Sequence, residues 1–111
     1  MKLIVAGGRD FVPSAIDKEI LKDLVKQYGI TEIVSGGAKG ADSFGEEYAI
    51  ENKLKVTKFP ANWNKYGRGA GPIRNKEMAD YADAVLLYPG GRGTSSMKAL
   101  ALQKGLQVFE A

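Results

Sequence analysis

The sequence predicts an α/β fold: a three-layer, Rossmann-like, doubly wound sheet of about five mostly parallel strands with about four helices. Two observations predict it. Short apolar runs alternate with segments of helical periodicity, as in βαβ units around a parallel sheet. Four of these runs end in turn-forming segments that lead straight into a helix.

The elements follow in order. Leu3 to Ala6 is a buried first strand, stopped by Gly7-Gly8. Ser14 starts a helix, with Asp17 three residues on as capping-box partner. Ile16, Ile20, Leu21, Leu24, Val25 and Tyr28 share one face of it, and Gly29 stands where a helix end favours a left-handed residue. Glu32-Ile33-Val34 is the second strand. A second helix begins near Ala41-Asp42, with Ala41, Phe44, Gly45, Tyr48 and Ala49 facing inward. Leu54 to Phe59 is the third strand. Ala61 to Gly71 reads as a glycine-rich loop, and Pro72 suits the first position of a third helix carrying Ile73, Met78, Tyr81 and Ala82. Ala84 to Tyr88 is the fourth strand. Thr94 is the expected cap of a fourth helix bearing Met97, Leu100, Ala101 and Lys104, and Gln107-Val108-Phe109 is the last strand. All this fits one domain over residues 1–111.

Composition narrows the chemistry. Hydrophobic residues are 44% and charged residues 26%, ordinary for a globular chain. There is no cysteine and no histidine, so a thiol nucleophile and the commonest general base are excluded, and no metal site or cofactor is expected. Acid–base work falls to Asp, Glu, Lys, Tyr or water. The net charge of +3 suits an anionic ligand but is too weak to argue for DNA binding by itself. The apolar amino-terminal run is too short for a signal peptide or a membrane span, and with the lack of cysteine this favours a cytoplasmic setting.

In a parallel sheet every strand-to-helix junction lies at the strand carboxyl edge. Four junctions therefore converge: Gly7-Gly8-Arg9-Asp10, Ser35-Gly36-Gly37-Ala38-Lys39-Gly40, the segment from Asn62 to Arg74, and Pro89-Gly90-Gly91-Arg92-Gly93-Thr94. Glycine allows close approach to an anion, and a helix start adds free N–H groups and partial positive charge. One such loop is ordinary turn chemistry, but several on one edge favour a phosphate. Arg9, Lys39, Arg68, Arg74 and Arg92 supply cations, Arg74 the foremost because it stands in a helix first turn at that edge. No loop has the spacing of a P-loop or of the dinucleotide fingerprint. Trp63 and Tyr66 either stack on a base or anchor their loop. Asn62, Asn64 and Asn75 either hydrogen-bond a sugar or base or cap turns.

The segment Pro89-Gly90-Gly91-Arg92-Gly93-Thr94 resembles the phosphate-binding signature of the SLOG superfamily, which includes the LOG phosphoribohydrolases and DprA. Ile33 to Asp42 looks like the matching segment of DprA. With Gly7-Gly8-Arg9-Asp10-Phe11, Pro60-Ala61-Asn62-Trp63 and Ala70-Gly71-Pro72-Ile73-Arg74-Asn75, the chain is most similar to the YspA-like, cpYpsA-related SLOG family. That resemblance implies a single SLOG-like domain for a nucleotide-derived ligand. The LOG enzymes pair an arginine, matched here by Arg74, with a glutamate just after Gly-Thr. Here Ser95, Ser96 and Met97 follow Thr94, so that carboxylate is missing. Asp10, Asp42 and Glu46 are the conceivable replacements, against the plain readings of Asp42 as a helix cap and Glu46 as a solvent-facing residue.

The leading expectation is sensing or sequestration of a nucleotide-derived ligand. Its phosphate would lie on the Gly36-Gly37 and Gly90-Gly91 loops with Thr94, neutralised by Arg9 and Arg74, with its base under Trp63 or Tyr66. One alternative is hydrolysis of a nucleotide N-glycosidic or phosphate bond, with Arg74, Asp42 and Glu46 as catalytic candidates. Another is single-stranded nucleic-acid binding, as in DprA. LOG-type relatives dimerise, which makes a homodimer a further expectation.

Overall fold

A computed structural model describes residues 1–111. Its five strands are β1 (Lys2–Ala6), β2 (Glu32–Ser35), β3 (Lys55–Lys58), β4 (Ala84–Leu87) and β5 (Gln107–Glu110). They form one sheet in the order β3-β2-β1-β4-β5, and every pairing is parallel. The helices are α1 (Ala15–Tyr28), α2 (Ala41–Glu51), the single turn α3 (Trp63–Tyr66), α4 (Ala70–Tyr81) and α5 (Arg92–Gln103).

Alternation along the strands splits the core into two layers. On one face Leu3, Val5, Ile33 and Leu86 pack with Leu21 of α1 and Phe44 and Tyr48 of α2. On the other, Ile4, Val34 and Val85 pack with Met78 of α4 and Met97 and Ala101 of α5. Both faces of β1, β2 and β4 are covered; β1 and β4 are near-continuous apolar runs, while β2 buries Glu32 and Ser35 at its two ends. The edge strands β3 and β5 carry lysine, glutamine and glutamate and are half-exposed.

Helix α1 has the expected ends. Ser14 Oγ accepts the Asp17 N–H at 3.3 Å, and Asp17 Oδ2 accepts the Ser14 N–H at 2.8 Å. Gly29 closes the helix at φ 63° and donates to the Val25 carbonyl. Ile16, expected on the buried face, is 72% exposed. Phe11, stacked on Tyr88 at 4.7 Å, packs against the same core layer, and the Tyr88 hydroxyl donates to the Asp17 carbonyl at 2.9 Å.

The segment 61–71 is not the open loop its glycines suggest. Asn62 Oδ1 accepts the Lys65 N–H at 3.1 Å and starts α3, a 3₁₀ turn over Gly67–Gly69 follows, and α4 opens at Ala70. Pro72 is thus the third helical residue, still within the first turn, where a missing N–H costs nothing. Ile73 faces outward, 37% exposed. Thr94 is likewise the third residue of α5 and not its cap. Gly91 holds the cap position and has no side chain to bond the first turn, and the Thr94 hydroxyl packs against Gly90.

From β1 the chain winds outward to β3 on one side, then returns to β4 and β5 on the other. The loops after β1 and β4 therefore part at their carboxyl ends and leave a crevice at the switch point of the sheet.

Gly40, the residue before α2, sits at φ 73° and ψ −120°, and a Cβ there would collide with the Gly8 and Arg9 carbonyl oxygens. Gly40→Ala is expected to cost at least about 2 kcal/mol from backbone strain and overpacking. Gly91→Ala, where a Cβ meets nothing within 4 Å and φ is −98°, should change stability little. Urea midpoints of the two variants test this contrast.

Candidate functional site

The crevice is a cleft of about 250 Å³ floored by Gly7 and Gly8. A Cβ on Gly7 would lie 2.7 Å from the Ala41 Cβ and 3.0 Å from that of Tyr88, so only glycine lets the first loop pass between α2 and β4. The Gly8 N–H donates to the Pro89 carbonyl at 2.8 Å, and the Gly8 carbonyl accepts from Phe11 at 3.2 Å and Ala41 at 3.3 Å. The first junction is thereby tied to both the second and the fourth.

One wall is the start of α5. The N–H groups of Arg92, Gly93 and Thr94 have no internal acceptor, as expected for the first turn of a helix without a side-chain cap. Gly91, Gly93 and Thr94 line the cleft. The opposite wall carries Asp42, from the first turn of α2, 8% exposed. Its Oδ2 accepts the Ala38 N–H at 3.2 Å.

Arg74 crosses between these walls. It rises from the first turns of α4 and donates from Nη1 to the Gly36 carbonyl at 2.7 Å and from Nε to Asn75 Oδ1 at 3.0 Å. A guanidinium has five N–H donors, so three remain unspent. Asn75 is buried, and its Nδ2 donates to the Gly93 carbonyl at 3.5 Å, linking the arginine to α5. Burial pushes the Asp42 carboxyl above its ordinary value, and the nearby Glu46 adds to this. The Ala38 N–H and the charges of Arg74 and Arg9 offset it in part.

A broader cleft of about 570 Å³ adjoins the first and shares Arg9, Gly36, Ala38 and Arg74 with it. Its own lining includes Asp10, Gly37, Lys39, Pro60, Ala61 and Trp63. Trp63 is 52% exposed and touches the helix α4 start, where a Cβ on Gly71 would lie 3.5 Å from its ring. It is both an anchor for α3 and an open aromatic face.

Several expected residues fall elsewhere. Ser35 is fully buried: its Oγ accepts the Gly37 N–H at 3.0 Å and donates to Glu46 Oε2 at 2.5 Å. Glu46 also pairs with Lys58 at 3.2 Å and lines neither cleft, so it is neither solvent-facing nor at hand for catalysis. In the second loop the Gly37 and Ala38 N–H groups are bonded internally and the Gly36 carbonyl is held by Arg74, whereas the Gly36, Lys39 and Gly40 N–H groups have no internal acceptor. Pro89 and Gly90 are spent on packing against Gly8 and Thr94 and face a separate hollow behind α5. Arg92 and Tyr66 line neither cleft, and Asn62 is a turn cap. The residues missed by sequence reasoning are apolar: Met78 and Met97 line the first cleft, and Pro60 and Ala61 the second. The two methionines carry only the helical periodicity of core positions, which hides their second role. There is no group of three or more acidic residues placed to hold a metal ion, and no helix is long and apolar enough to cross a membrane.

Residues 1–66 match the model of the YspA, cpYpsA-related SLOG family. The chain belongs to this SLOG family. Among its relatives is the Gene 61 protein of Mycobacterium phage D29, 31% identical over 118 residues, covering 97% of this chain and 94% of that one. A histidinol-phosphate aminotransferase of Shouchella clausii (strain KSM-K16) is 40% identical over 63 residues, 57% of this chain but 16% of that protein, too small a part to carry its activity across. The crystal structure of TM1055 shares the fold, with a TM-score of 0.70 over 96% of this chain and 71% of that one at 18% identity. The family match spans the first two glycine-rich junctions of the SLOG chain, and the Arg74 and Thr94 segments lie beyond it.

Asp42 makes the stability of the fold depend on pH in a defined sense. With its folded value raised, its protonated form favours folding. That contribution is full below the ordinary carboxyl range, near pH 3.9, and is lost as pH rises through the raised value. Glu32 acts oppositely. Burial raises its carboxyl, but hydrogen bonds from Tyr81 and Thr57 and the charges of Lys55 and Lys2 together outweigh this, so its contribution is lost as pH falls. Asp42→Asn should therefore gain stability relative to the parent as pH increases from about 4 to 7, a difference that urea midpoints across that range would read.

Proposed function

We propose that the switch-point cleft binds a nucleotide-derived ligand through its phosphate. The observation that carries this reading is the meeting of two sets of unspent donors on one small cleft: the first-turn N–H groups of α5 and the remaining N–H groups of Arg74. A phosphate has the acceptors and the charge to satisfy both. Thr94 lines the same place, Asp42 and Asn75 suit sugar hydroxyls, and Trp63 offers a face for a base. Arg9 contributes charge from the rim. The backbone phosphate donors in this reading are those of α5, since the Gly37 N–H is already bonded to Ser35.

Membership in the SLOG family supports a nucleotide-related ligand. Thermal shift and calorimetry with adenine and guanine nucleotides test it. Binding should raise the melting temperature with the logarithm of ligand excess. Arg74→Ala should weaken binding by at least about tenfold, the loss of roughly one charge-assisted hydrogen bond. No stabilisation by any phosphate-bearing nucleotide would end the proposal.

One observation favours a second reading, hydrolysis of the N-glycosidic bond. Asp42 is a buried carboxylate on the cleft with a raised pKa, suited to take a proton from water attacking the anomeric carbon while the base departs. In that case nucleoside monophosphates incubated with the protein yield free base on chromatography, and Asp42→Asn abolishes the yield while retaining binding. Recovery of intact nucleotide leaves the binding role alone.

A further inference from the structure

The five salt bridges of the molecule are Lys18–Glu51, Lys55–Glu32, Lys58–Glu46, Lys98–Glu110 and Lys104–Asp80. None involves Arg9, Lys39 or Arg74. Yet these three cations line one cleft, the broader of the two, where the single acidic side chain is Asp10. Six other lysines also lack a salt bridge, but these three cations converge on one cleft whose lining carries a single carboxylate.

Size points the same way. The switch-point cleft, at about 250 Å³, is smaller than the pockets of roughly 300–1,000 Å³ that enclose whole small-molecule ligands, whereas the adjoining one, at about 570 Å³, lies within that range. The two share the Arg9 and Arg74 boundary, so a ligand seated by its phosphate in the first extends past both arginines into the second. An uncharged base stacked on Trp63 gives no use to Lys39. A second phosphate does.

We propose that the broader cleft is a subsite for a second phosphate group, held by Lys39 with Arg9, so that the ligand is a nucleotide bearing at least two phosphates. This rests on the phosphate reading of the first cleft and specifies the class of ligand. The second phosphate is either joined to the first, as in a nucleoside diphosphate and its esters, or carried elsewhere on the sugar. The chemistry recognised by Lys39 is the same for both.

Calorimetric titration of the whole chain with AMP, ADP and adenosine 3′,5′-bisphosphate tests the proposal. At least one of the two doubly phosphorylated nucleotides should bind about tenfold or more tighter than AMP, the gain expected of an added charge-assisted contact. Lys39 is exposed and unpaired, so Lys39→Gln should leave the fold intact. It should erase most of that advantage while AMP affinity stays within about twofold of the parent. Whether ADP or the 3′,5′-bisphosphate gains more tells how the second phosphate is attached. AMP binding as tightly as both, or Lys39→Gln weakening AMP to the same degree, overturns the second subsite and leaves the phosphate reading standing. Failure of all three to bind overturns both.

Discussion

Gly8 is where the molecule is tied together. Its N–H bonds the Pro89 carbonyl, and its carbonyl accepts from Phe11 and Ala41. Through these bonds the loop after β1 holds the loop after β4 on one side and the start of α2 on the other. The constraint is steric as much as polar. A Cβ at Gly8 would press within 3.2 Å of the Pro89 carbonyl oxygen, and Gly40 must turn away at positive φ to let the Gly8 and Arg9 carbonyls through. Three backbones thus run in contact at the one point where the sheet's winding changes direction. The cleft exists because the loops are pinned there and diverge beyond it.

On this base Arg74 acts as a strut. It comes from a helix on one face of the sheet and bonds a carbonyl at the end of β2, beside a carboxylate from a helix on the other face. Asn75 holds its Nε and, through Gly93, joins the same network to α5. Two of the five donors fix the guanidinium, so the remaining three are presented in a defined direction with little entropy left to lose on binding. The same geometry keeps Asp42 buried but not neutralised by a salt bridge, which is why its carboxyl titrates high despite a cation nearby.

The second loop shows how part of a motif's hydrogen-bonding capacity can be spent inside the protein. Ser35-Gly36-Gly37-Ala38-Lys39-Gly40 has the glycines of an anion cradle, but its own Ser35 and Asp42 take up the Gly37 and Ala38 N–H groups. Those acceptors are written in the sequence, yet their direction is not. Whether Ser35 faces its own loop depends on burial beneath α2, where Glu46 meets it. The fourth loop differs because no side chain folds back onto the start of α5.

The amino-acid sequence by itself determined the local order of this protein. Apolar runs of strand length, a Ser14–Asp17 capping box, a left-handed Gly29 and the inner face of α2 depend on neighbours in the chain, and all are present in the fold. It also marked the edge where the loops meet, since parallel strands joined by helices have no other arrangement for those junctions. Only the tertiary structure decided which donors remain free. The methionines lining the cleft and the distance of Glu46 from it, where it pairs with Lys58, are set by contacts between residues far apart in the chain. A hydrogen bond is satisfied or left open by what lies across the space. That is a property of the packed molecule, and no spacing along the sequence contains it.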